Sequence, residues 1–174
     1  SPPLQQGITE CPRQSDNFGV DGTASREDVN ESTMADARNA TRSDEVAGNG
    51  TGVTVAVLDT GINTQSGQVF GNGSAGSDLR IDDASKSFIT GESVNATAGD
   101  YSAVADGNGH GTWVASAIGS AADEPYRGYA PDANLLVLKV LGDDGSGSTH
   151  SISQAVRYAA EQDADVISMS LGAP

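Results

Sequence analysis

Val53-Thr54-Val55-Ala56-Val57-Leu58 is entered through Gly50-Thr51-Gly52 and left through Asp59-Thr60-Gly61. Six nearly uninterrupted apolar and β-branched residues between glycine-bearing turns describe a strand buried on both faces. Asn134 to Val140 repeats the pattern, and Ala164 to Ser170 predicts a third strand. Between them, His110 to Ile118 reads as a helix of small residues. Ser151 to Gln162 places Ile152, Ala155, Val156, Ala159 and Ala160 on one helical face. Strands separated by helices require crossovers, so the sheet is parallel and the class is α/β, with helices on both faces. Residues 62 to 106 read as surface loops with one weak strand, Lys86 to Thr90.

Residues 1–49 are polar and read as an arm lying on the core, with one helical stretch from Met34 to Val46 behind a Thr33/Asp36 cap. The chain has 174 residues, and its 24 acidic side chains against nine basic ones give a formal charge of −15. That surface repels phosphate backbones, which argues against nucleic acid as a partner. No stretch approaches the ~20 apolar residues of a membrane span. Only two of the nine basic residues are Lys, and 17 of the 24 acids are Asp, a balance suited to hydration in concentrated salt. An ordinary acidic secreted protein is the other reading. Sequons at Asn30, Asn39, Asn49, Asn72 and Asn95 fit an extracellular chain. The single cysteine, Cys11, closes no internal disulfide.

In an open parallel sheet, ligands bind beyond the carboxyl ends of the strands. Asp59 follows the first strand there, Gly142 to Ser148 follows the second and Ser170 to Pro174 the third. A helix returning antiparallel to the strands begins at that same edge, which brings in His110. A carboxylate beside an imidazole fixes its tautomer and stabilises its cation, leaving the ring to act as general base.

At these residues the chain resembles the subtilisin-like serine proteases (subtilases, peptidase family S8). Val55-Ala56-Val57-Leu58-Asp59-Thr60-Gly61-Ile62 is similar to the family's aspartate motif, and Asp106-Gly107-Asn108-Gly109-His110-Gly111-Thr112-Trp113-Val114-Ala115 to its histidine motif. Ala130-Pro131, Lys139-Val140-Leu141 and Ser168-Met169-Ser170-Leu171-Gly172 match in order, so the likeness runs over about residues 50–174. It implies a subtilisin-like three-layer fold and an endopeptidase with Asp59 and His110 as catalytic residues. It also implies substrate-binding edges: Ser170, Leu171 and Gly172 on one side, Gly145, Ser146 and Gly147 on the other, with Thr149 and Ile152 near a further pocket. Such a cleft reads main chain by strand addition. Polypeptide substrates and a monomeric full-length enzyme follow.

The family's serine turn and oxyanion asparagine would fall after Pro174. The resemblance therefore implies a truncated domain, the N-terminal part only, inactive by itself and prone to aggregate along its exposed strand edge. No cofactor is needed for catalysis. Structural calcium is common in the family, and Asp82-Asp83, Asp123-Glu124 and Asp143-Asp144 supply carboxylate pairs, but Gln68 stands where one ligand would be Asp, and no metal ligand is assigned. Trp113 replaces a frequent second histidine and is expected to pack under the preceding loop. His150 is expected at the surface. The 51-residue step from Asp59 to His110 implies an insertion within residues 62–106. A non-catalytic subtilase-fold binder of peptides or inhibitors is the alternative. A nucleotide-binding domain is disfavoured, since the Asp59 turn carries no phosphate-binding glycine motif.

Overall fold

A computed structural model describes residues 34–63, 80–89, 100–121 and 127–172. The expectations for Cys11, the arm before Met34, the sequons at Asn30, Asn72 and Asn95, Gln68 and the Asp123-Glu124 pair lie outside the described residues. The elements run α1 (Met34–Thr41), β1 (Thr54–Asp59), β2 (Lys86–Ser87), α2 (His110–Gly119), β3 (Asn134–Lys139), α3 (Thr149–Glu161) and β4 (Val166–Ser168). All strand pairs are parallel and the order is β2-β3-β1-β4, which places β1 between β3 and β4. The predicted α/β architecture is the observed one.

Strand periodicity sorts the core into two layers. Val55 and Val57 of β1 join Leu135 and Val137 of β3 on one face, against Val114 and Ala115 of α2. Ala56 and Leu58 join Leu136 and Leu138 on the other, against Ala155 and Ala159 of α3. Two helices on opposite faces explain why the strands read as continuous apolar runs.

Four boundaries differ from expectation. The first helix is shorter, with a 3-10 turn at Ser43–Glu45 in place of its last turn. α3 starts at Thr149, because the Ser148 hydroxyl accepts the Ser151 N–H at 3.1 Å and caps the helix earlier. The third strand is the short Val166–Ser168, and Lys86–Thr90 contributes two strand residues. The 62–106 stretch is not all surface, since Ile62, Ile81 and Val104 are buried in the α2-side core. Ile81 and Ile62 join by single bridges to Leu135 and Ala105, too local for periodicity to announce.

Trp113 also corrects its expectation: the indole is 52% exposed. The buried face of α2 is set by Gly111, Val114 and Ala115 at helical spacing, and position 113 lies on the opposite side of the turn. Within the N-terminal arm, the buried Arg38 pairs with Asp44 at 3.0 Å and donates to the carbonyl of Arg127.

Candidate active site

Asp59 is the last residue of β1 and His110 the first of α2. Packing of α2 on β1 brings them together across 51 residues: Asp59 Oδ1 lies 2.7 Å from His110 Nδ1. The same oxygen accepts the Thr60 N–H at 2.7 Å, which fixes the carboxylate's rotamer. A carboxylate oxygen at this distance accepts from the Nδ1–H tautomer, in which Nε2 presents its lone pair. Both side chains are almost fully buried, at 1% and 0% exposure. His110 Nε2 and Asp59 Oδ2 are buried without a hydrogen-bond partner among the described residues. An imidazole nitrogen without a hydrogen bond, on a ring oriented by a carboxylate, is chemically able to accept a proton from a group brought to it.

The junction around the pair is held by a second carboxylate. Asp106 Oδ1 accepts Thr60 Oγ1 at 2.9 Å, Gly109 N at 2.8 Å and Asn108 N at 3.0 Å. Its Oδ2 accepts Thr112 N at 2.9 Å and Thr112 Oγ1 at 2.6 Å. Burial is the largest influence on this carboxyl and pushes its pKa up. The bonds from Thr112, Gly109 and Thr60 together outweigh burial and hold it below the ordinary carboxylate value. A depressed folded pKa adds stability that is complete above the unfolded value of ~3.9 and is lost as pH falls through the folded value. The thermal midpoint of the full-length protein is therefore expected to drop on acidification below about pH 4, and Asp106→Asn should flatten that part of the drop in a pH series of melting curves. An unchanged acid slope in the variant would remove Asp106 from the account.

Residues 50–174 match the model of the subtilase family, peptidase S8. The chain belongs to the subtilases. It is 40% identical over 126 residues to an intracellular serine protease of Paenibacillus polymyxa, covering 72% of this chain and 34% of that protein. It is 39% identical over 127 residues to the major intracellular serine protease of Bacillus subtilis, covering 72% and 35%. Against Subtilisin Savinase of Lederbergia lenta it is 40% identical over 126 residues, covering 72% and 39%. The chain thus spans about a third of the length of these subtilases.

The positions assigned to substrate binding sit in two segments flanking the pair. Gly145, Ser146 and Gly147 follow β3, where Gly147 bridges Leu141 in antiparallel sense and Ser146 bonds the Asp144 carboxylate. Thr149 is exposed at the first turn of α3, and Ile152 packs on the α3-side core. Ser170, Leu171 and Gly172 follow β4, with Ser170 exposed and Leu171 against the same core. Because β3 and β4 border β1, the two segments lie on either side of the strand that ends in Asp59. His150 is exposed.

Among the described residues, the acidic pairs Asp82-Asp83 and Asp143-Asp144 accept hydrogen bonds from the protein. Asp143 accepts Lys139 Nζ at 2.8 Å and Gly107 N at 3.2 Å, while its carbonyl accepts Asn108 Nδ2 at 2.9 Å. Asp144 serves Ser146, and Asp82 takes Ala84 N and Asn134 Nδ2. Among the described residues no three His, Cys, Asp or Glu side chains gather as a metal site. Sequence reading quoted Asp106 inside the histidine motif of this subtilase without giving it a role, and it missed Thr60, Lys139 and Asp143 as supports. Each acts on a partner distant in the chain, and only the i−4 spacing of Asp106 before His110 offered a signal.

Proposed function

We propose that the whole protein is a serine endopeptidase in which Asp59 and His110 supply two members of an Asp-His-Ser triad, the serine coming from beyond Pro174. The buried hydrogen bond from His110 Nδ1 to Asp59, with Nε2 unpartnered among the described residues, carries this reading. His110 Nε2 would take the serine proton during attack on the peptide carbonyl and return it to the leaving amine, while Asp59 offsets the imidazolium. Residues 145–147 and 170–172 would line an extended peptide from two sides, and Thr149 and Ile152 would border a side-chain pocket. Polypeptide substrates and a monomeric full-length enzyme belong to the same reading. Secretion into a salt-rich medium is supported by the acid excess and the scarcity of Lys. Structural calcium is compatible with the reading, though no ligand set gathers among the described residues.

The test is an assay of the full-length protein on a chromogenic peptide in concentrated salt, with residues 1–174 alone assayed beside it. Hydrolysis by the full protein, loss of it in His110→Ala and covalent capture by a serine-directed fluorophosphonate are expected, with no turnover by the short chain. Peptide binding without hydrolysis would replace the enzyme by the non-catalytic binder, and turnover by residues 1–174 would refute the assigned nucleophile.

A further inference from the structure

The carboxylate of Asp106 is buried, charged and outside the triad, yet five hydrogen bonds converge on it. Four of them are local. Bonds to Gly109 N, Asn108 N and both donors of Thr112 would cap the start of α2, whose N-cap residue Gly109 supplies no side chain of its own. The fifth is different in kind. Thr60 lies 46 residues away in sequence, beside Asp59, and its hydroxyl donates to Asp106 while accepting the Gly111 N–H at 2.9 Å. The hydroxyl is fully buried, so neither bond is shared with solvent. A closed relay results: β1 end, Thr60 hydroxyl, Asp106, first turn of α2, and back through His110 to Asp59.

The geometry points to Asp106 as a positioning residue that, through the Thr60 hydroxyl, sets how far α2 stands from the end of β1 and therefore the separation of His110 from Asp59. The inference rests on the protease reading above. A cap alone would leave the seating of α2 on the strand end to apolar contacts, which are non-directional, to the Asn63 N–Thr112 Oγ1 bond beyond the turn and to the Asp59–His110 bond that is itself being positioned. Two directed bonds to one hydroxyl supply a register. Misplacement by about 1 Å costs on the order of 10²-fold in rate, so the relay bears on catalysis more than on binding.

Thr60→Val separates this role from capping, since it removes the relay hydroxyl at nearly constant shape and leaves all four local bonds of Asp106 in place. In the full-length protein, assayed well below each variant's melting midpoint, Thr60→Val should lower kcat roughly 10- to 100-fold with KM within about two-fold. Thr60→Ser should recover most of the loss, because it restores the donor and the acceptor. Asp106→Asn should fall between them, keeping the amide oxygen for Thr60 and Gly109 but facing the Thr112 N–H with a donor. A Thr60→Val enzyme with kcat within two-fold of the parent, or an equal loss in Thr60→Ser, would overturn the inference. His110→Ala in the same series reports on the protease reading separately. Were the parent inactive, the Nδ1–H proton resonance of His110 in the full-length protein would still decide. Its broadening by exchange in Thr60→Val and recovery in Thr60→Ser support the relay, and an unchanged signal refutes it.

Discussion

Replacing Asp59 by Asn in the full-length protein is expected to lower kcat by about 10⁴-fold with the fold intact. Both hydrogen bonds to the Asp59 carboxylate, from Thr60 N and His110 Nδ1, fall on one oxygen. Asn can copy them in a single orientation, with its amide NH₂ at the buried position where Oδ2 has no partner among the described residues. In the flipped orientation the amide donates toward Nδ1, and the ring must hold its proton on Nε2, the atom needed as base. In either orientation no negative charge faces the imidazolium that forms during attack. Initial rates on a peptide substrate, paired with a melting curve for each protein, measure the effect. Retention of activity within ten-fold would show that the pair is structural.

Gly111→Ala should damage both stability and rate by a different route. A Cβ built there lies 2.9 Å from Gly61 N and 3.1 Å from Thr60 N, and closer still to the carbonyl oxygen of Gly61. All three are backbone atoms of the turn that carries Asp59, so no side chain can swing aside. The helix must back away from the strand end, stretching the Gly111–Thr60 bond and the Asp59–His110 bond together. Overpacking of this kind costs about 1–3 kcal/mol, and displacement of the base adds roughly 10²-fold in kcat/KM. Urea unfolding and peptide hydrolysis on the same preparation check both numbers. A variant that loses stability but keeps its rate would mean that the pair tolerates movement of α2.

Much of this architecture was legible in advance because its signals are local and repetitive. A run such as Val55 to Leu58, or Leu135 to Leu138, is apolar at every position because a helix covers each face of the sheet. The carboxyl-edge rule then placed Asp59 and His110 at one rim, and the structure joins them by a hydrogen bond. Less legible were features that depend on single contacts. Ile62, Ile81 and Val104 sit among polar, glycine-rich neighbours and carry no period, yet each plugs the α2-side core. Trp113 was misjudged because a large indole invites burial, whereas helix phase turns it outward. Asp143 stands in an acidic pair to which the sequence assigns no ligand role, and its carboxylate accepts from Lys139 and Gly107.

By itself, then, the order of residues determined a parallel sheet flanked by two helices and the edge on which chemistry would fall, since burial on both faces leaves a mark at every position of a strand. Tertiary structure alone decided how Asp59 and His110 are held: the shared oxygen of Asp59, the Thr60–Asp106 relay and the close passage of Gly111 over Gly61. These contacts link residues about fifty positions apart, and their existence turns on tenths of an ångström in the seating of α2 on β1. A pattern of polar and apolar residues cannot encode a distance that fine.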